Sequence, residues 1–78
     1  MTDSDIHALK ANDGKEVEIL CKDGEVMQAR VLFVSESERD VIYNLISTNR
    51  PERYPVRPSE VSYTTSFKDI ETVRASRG

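Results

Sequence analysis

Apolar and polar residues alternate with a period of two through Val17, Ile19 and Cys21, and again through Met27, Ala29 and Val31. Such alternation puts one set of side chains on a buried sheet face and the other on an outer face. Between the two runs stands Asp23-Gly24, a pair that supplies the positive φ angles of a tight primed turn, so the pattern predicts a hairpin with strands at 16–22 and 25–34. The second arm is long for a small domain, and after Val31 its alternation gives way to the continuous run Val31-Leu32-Phe33-Val34. A strand bent near Ala29 to Val31, with both ends contributing to one core, accounts for the break.

Helical spacing is confined to the start of the chain. Thr2 with Asp5 three residues on forms a capping box, Ile6 and Leu9 share one face, and Asn12-Asp13-Gly14 supplies the stop, predicting a short helix over 4–11. A third strand is expected at 40–47, apolar at Val41, Ile42, Tyr43, Leu45 and Ile46. Its apolar residues fall on both faces, as in a central strand or one covered by the helix or a neighbouring subunit. Residues 48–59 hold all three prolines and no strand pattern, so they are expected to form a loop. Strand four, at 61–67, alternates through Val61, Tyr63, Thr65 and Phe67. The spacing then changes to three through Phe67, Ile70 and Val73, which marks a 3₁₀ turn at Lys68-Asp69 leading into a fifth strand at 71–75.

A chain of 78 residues is expected to form one domain, near the size where a single core contributes only about 3–5 kcal/mol and oligomerisation is a common supplement. With one Cys and one His there is neither an internal disulfide nor a ligand set for a structural metal. Nothing near the start resembles a signal peptide and no apolar run approaches bilayer-spanning length, so the expected setting is cytoplasmic with no membrane association. Cys21 falls in a core-facing phase, where a buried and inert thiol is expected. His7 has no companion ligand or nucleophile and reads as an exposed helical residue. There is no Ser/His/acid or Cys/His set and no glycine-rich phosphate loop, and Glu36 and Glu38 sit on a polar turn. No catalytic residue, metal or cofactor is therefore assigned, and the chain is not expected to be an enzyme.

The sequence order of capping helix, Lys22-Asp23-Gly24 turn, long bent second strand and 3₁₀ turn before the last strand resembles the Sm-like family of small SH3-like barrels. The resemblance lies in Val17-Glu18-Ile19, Lys22-Asp23-Gly24, Ala29 where the family carries Gly, Ser35-Glu-Ser-Glu-Arg39 and Asp40-Val-Ile-Tyr-Asn-Leu45. It covers residues 9 to 46 closely and 61 to 74 loosely. It implies a mostly β fold, a short helix followed by a five-stranded, strongly bent antiparallel barrel that assembles through its edges. Family members that bind RNA use an Asn and an Arg-Gly pair as a base pocket, and the matching positions here are Asp40 and Ser66-Phe67. An ionised Asp accepts hydrogen bonds only and repels phosphate, while Phe fills space that Gly leaves open, so the uridine pocket is not expected.

Charge leaves two readings of function. The net charge is −3, the wrong sign for a protein dominated by phosphate binding. Yet residues 1–48 carry five Lys/Arg against ten Asp/Glu, while residues 49–78 carry six against four, so the second half is net +2. In the loop 49–58, Arg50, Arg53, Tyr54 and Arg57 form a surface suited to stacking on single strands, to docking a peptide, or merely to solvation. The first reading is a homo-oligomeric assembly or protein-interaction module, a dimer or ring, with Val61, Tyr63 and Thr65 at an unprotected edge strand. The second is an RNA-binding ring protein that uses the Arg loop.

Overall fold

The hairpin is formed, with a turn of a different kind from the one expected. The computed structural model describes residues 1–54 and 61–75. Strands β1 (Glu16–Cys21) and β2 (Val26–Ser35) pair antiparallel, with Leu20 opposite Val26. Cys21 N–H donates to Glu25 O at 2.8 Å and Gly24 N–H donates to Cys21 O at 3.0 Å, so the loop is the three residues Lys22-Asp23-Gly24. Gly24 alone in this loop has a positive φ, +94°, whereas a two-residue primed turn of type I′ would place Asp23 there as well. The Asp23 carboxylate instead accepts the Glu25 N–H at 3.0 Å and fastens the turn from outside.

A valine at this glycine is therefore expected to be costly. It would be strained at φ +94°, and a Cβ there would meet the Arg50 guanidinium at 3.3 Å. Gly24→Val should cost about 1–3 kcal/mol, read as a fall of about 5–20 °C in melting temperature. An unchanged melting temperature would contradict the hairpin assignment.

Helix α1 (Asp3–Ala11) begins with the expected capping box. The Thr2 hydroxyl accepts the Asp5 N–H at 3.3 Å, and the Asp5 carboxylate accepts the Thr2 N–H at 2.9 Å. The same carboxylate reaches outside the helix, accepting Val73 N–H and the Thr72 hydroxyl, each at 3.0 Å. One buried side chain thus caps the helix and ties it to the last strand. Burial pushes the Asp5 carboxyl up, but hydrogen bonds from Thr2 and Val73 N–H and from the Thr2 and Thr72 hydroxyls outweigh it and hold it at about 2.

Strand β3 (Asp40–Thr48) follows β2, and β4 (Ser62–Ser66) and β5 (Ile70–Ala75) are joined by a 3₁₀ turn at Phe67–Asp69. The ladder is antiparallel in the order β4-β3-β2-β1-β5. Hydrogen bonds do not close it into a barrel, because β4 and β5 stand at its two ends. Register slips between β2 and β3 at Gln28/Ala29 and at Val31/Phe33, bracketing the expected bend. The inward faces of β1, β2, β3 and β5 meet Phe67 and the helix residues Ile6 and Leu9 in one core.

The slip at Val31/Phe33 decides which residues of the Val31 to Val34 run reach the core. Leu32 has no partner in the β3 register, and Leu32 and Phe33 are 42% and 57% exposed while Val34 alone packs against the core. An extra residue in one strand reverses the phase of those that follow it. Ile46 on β3 is likewise exposed, and Ile42 is half-buried. The helix packs mainly on β5 and β2. Val61 precedes β4 and is exposed, whereas Tyr63 and Thr65 face partly inward. No helix of the described residues is long and apolar enough to cross a membrane.

Candidate functional site

The densest polar cluster centres on Glu25, a residue the strand pattern left unremarked. It immediately precedes β2 and shares the inward phase of Met27, Ala29 and Val31, so the residue is only 4% exposed. Burial of a carboxylate is tolerable only with donors around it, and the last residue of β3 and the segment after it bring three. Thr48 Oγ1 and the Tyr54 hydroxyl each donate to Glu25 Oε2 at 2.6 Å, and Arg53 Nη1 donates to Oε1 at 3.1 Å. No buried side-chain polar atom among the described residues lacks a partner.

The same segment is fastened to the hairpin turn at several more points. Arg53 pairs with Asp23 at 2.6 Å, and Arg50 Nη2 donates to Asp23 O at 3.0 Å. Asn49 accepts Val26 N–H at 2.9 Å and donates to Gly24 O at 3.3 Å. The Glu25 N–H bond, then the Arg53 guanidinium, lower the pKa of Asp23, while the bond to Asp23 raises that of Arg53. Arg50, Arg53 and Tyr54 thus all lie in this segment, with both guanidinium groups turned to the hairpin. Arg57 lies outside the described residues.

Tyr54 links this cluster to the edge strand. Its ring meets Tyr63 of β4 edge-on, with centroids 5.0 Å apart, and Tyr63 lies 6.4 Å from Tyr43. Burial, then the bond to Glu25, hold the Tyr54 phenol well above its ordinary range. Tyr43 is hydrogen-bonded to Thr65 at 2.8 Å, and burial raises its pKa too. Glu25, Arg53, Tyr54, Tyr43 and Thr65 line a cleft of about 280 Å³ that also takes in Cys21, Lys22 and Asp69.

The cleft's chemistry is that of an ion-paired knot. Cys21 Sγ and carboxylate oxygens of Asp23 and Glu25 lie within 4.8 Å of one another. Burial, then the charges of Glu25, Asp23 and Asp69, push the Cys21 thiol up to about 11, which disfavours the thiolate a metal requires. Arg53 is already ion-paired with both carboxylates, at 2.6 and 3.1 Å, so a cation here would compete with it.

A second cleft, of about 340 Å³, opens beside the 3₁₀ turn and is lined by Ile6, Lys22, Arg39, Ser66, Phe67 and Lys68 among others. Asp40 and Ser66 are opposite one another in the β3–β4 ladder, and Phe67 N–H donates to Arg39 O at 2.9 Å. Phe67 is buried, and the Arg39 guanidinium carbon stands 5.5 Å from its ring centroid. Asp40 is not among the residues lining this cleft; its neighbour Arg39 is, at φ 57°. His7 is exposed on α1, in a shallow depression with Asp3, Lys10 and Glu36.

Comparison with protein-family models, with curated proteins and with solved structures finds no match to the chain.

Proposed function

We propose that this protein is a non-enzymatic Sm-like module that assembles with further copies of itself, or with a protein partner, through its sheet edges. The observation that carries the reading is the strand order β4-β3-β2-β1-β5, which among the described residues leaves β4 and β5 each with one unpaired side. β4 reads Ser62-Tyr-Thr-Thr-Ser66, without the Lys, Pro or inward charge that commonly protects an exposed edge. β5 offers a complementary edge of similar length, Ile70–Ala75. Pairing of β4 of one copy with β5 of the next is a head-to-tail contact, and repeated around an axis it closes a ring. Barrel closure in the Sm-like sense belongs to the same proposal and is supported by the single core that spans β1, β2, β3 and β5. Light scattering at tens of micromolar should give at least twice the mass of one chain, and the mass of a single chain would sink the reading.

The RNA-binding alternative has to use guanidinium groups that the hairpin already engages at 2.6 and 3.0 Å. Binding by Arg50, Arg53 and Arg57 is expected to be electrostatic and indifferent to base. Oligo-U should bind no better than oligo-C, and three phosphate contacts give a salt slope of only about −2 in log K against log salt. Strong uridine selectivity that survives Ala replacement of these three arginines and resists salt would place an RNA pocket elsewhere on the chain than in the Arg loop.

A further inference from the structure

The cleft beside the 3₁₀ turn gathers positive charge in a chain whose net charge is −3. Lys22 comes from the β1–β2 turn, Arg39 from the β2–β3 turn and Lys68 from the turn between β4 and β5, three loops far apart in sequence. Two backbone hydrogen bonds hold these loops together: Lys22 N–H to Asp69 O and Phe67 N–H to Arg39 O, each at 2.9 Å. No carboxylate of the described residues lines the cleft. The ion pairs of the described residues use Lys10, Arg30 and Arg53 and leave these three cations out. Carboxylates stand in the adjoining clefts, Asp23, Glu25 and Asp69 with Lys22 and Asp3 and Glu36 with Arg39, but none forms an ion pair with these cations. Like charges without an ion-pair partner repel one another, and a bound anion relieves that repulsion.

We propose that this cleft binds the phosphoryl group of a small phosphate monoester. A phosphate monoester carries between one and two negative charges at neutral pH and three acceptor oxygens, which matches two ammonium groups and one guanidinium better than a single carboxylate does. Arg39 supplies the fixed element. Its backbone is anchored by the Phe67 N–H and its guanidinium lies against the Phe67 ring, so less rotamer freedom is lost when it grips a ligand. Ser66 adds a hydroxyl, Ile6 and Phe67 give an apolar wall for the body of the ester, and a volume of about 340 Å³ suits a ligand of nucleotide size or smaller. Recognition rests on the phosphoryl charge, so the body attached to it is read only by its bulk. The site lies within one chain and does not depend on assembly.

The test is titration of the full chain with phenyl phosphate, followed by amide NMR. Saturable shifts are expected at Lys22, Arg39, Phe67 and Lys68, with a dissociation constant on the order of 1 mM for a ligand of about ten non-hydrogen atoms. Lys22→Ala and Lys68→Ala, both at exposed turn positions, should each weaken binding about tenfold. Arg39→Gly, which suits the backbone at φ 57°, should abolish the saturable component. Glycerol phosphate and the uridine and adenosine 5′-monophosphates separate the sources. Binding of either class through the same amides upholds the site and tells a lipid-headgroup origin from a nucleotide one. Absence of saturable shifts up to 10-fold above the expected constant overturns the proposal, as do shifts unmoved by the three variants. So would uridine monophosphate binding tenfold tighter than every other ester, because the base would then carry recognition. Chain mass is read separately by light scattering, so failure here and failure of the assembly reading are distinguishable.

Discussion

Glu25→Ala is expected to destabilise the protein by about 2–4 kcal/mol, through the loss of a buried acceptor rather than of packing volume. Thr48 and Tyr54 would each lose a 2.6 Å bond, and Arg53 its 3.1 Å partner, in a place where water has little access. For a domain of this size that corresponds to a fall of roughly 10–25 °C in melting temperature. Glu25→Gln keeps one carbonyl acceptor and much of the shape, so about half the effect should remain. Tyr54→Phe removes a single donor and should cost about 1 kcal/mol. Because Tyr54 also packs on Tyr63, the alanine variant should release β4 as well, seen as faster amide exchange in 62–66. A melting temperature within a few degrees of the parent would show that the segment after β3 is held by something else.

The second large effect is expected at Asp5. Removing its carboxylate with Asp5→Asn breaks the capping box and weakens the bonds to Thr72 and Val73, for a loss of about 2 kcal/mol at neutral pH. The sign of its pH dependence follows from a folded-state value of about 2 against an ordinary 3.8. Between those values the unfolded chain holds the proton that the folded chain refuses, so acid favours unfolding. The contribution is complete above pH 4 or so and disappears as pH falls towards 2. The difference in melting temperature between parent and Asp5→Asn should therefore be largest near neutrality and shrink steadily below pH 4. A difference independent of pH would place the effect in shape rather than in charge.

Much of the fold was legible because local chemistry and global packing agree here. The alternation of Val17, Ile19 and Cys21 is the burial pattern of β1, and the change of spacing at Phe67 is a 3₁₀ turn. The Thr2/Asp5 box and the stop at Asn12 lie where the residues indicated, with the Asn12 side chain donating to Ala8 O at 2.7 Å. Illegible features depend on contacts between distant segments or on unpaired insertions. A bulge at Leu32 has no residue signature of its own, so the pattern did not show that Val34, and not Leu32 or Phe33, turns to the core. The turn type depended on whether Asp23 or only Gly24 takes a positive φ, and Asp-Gly permits both.

At the candidate site the sequence marked Arg50, Arg53 and Tyr54 but not their anchor. Glu25 read as a polar residue beside a turn; its parity with Met27, Ala29 and Val31 was the signal that it faces inward. Asp5 likewise stands four residues before Leu9 on the same helical face, yet its bonds to Thr72 and Val73 join opposite ends of the chain. The convergence of Lys22, Arg39 and Lys68 is a product of topology, since three separate turns supply them.

The proposed assembly rests on the edge of β4, and a direct measurement compares the parent with Ser62→Lys/Thr64→Lys by light scattering at the same concentration. Both positions are exposed and outside the core, so the fold should survive while two lysines protect the edge. The account expects a parent mass of at least two chains and a variant mass of one. A parent that is already a single chain, or a variant whose mass equals that of an oligomeric parent, would contradict assembly through β4.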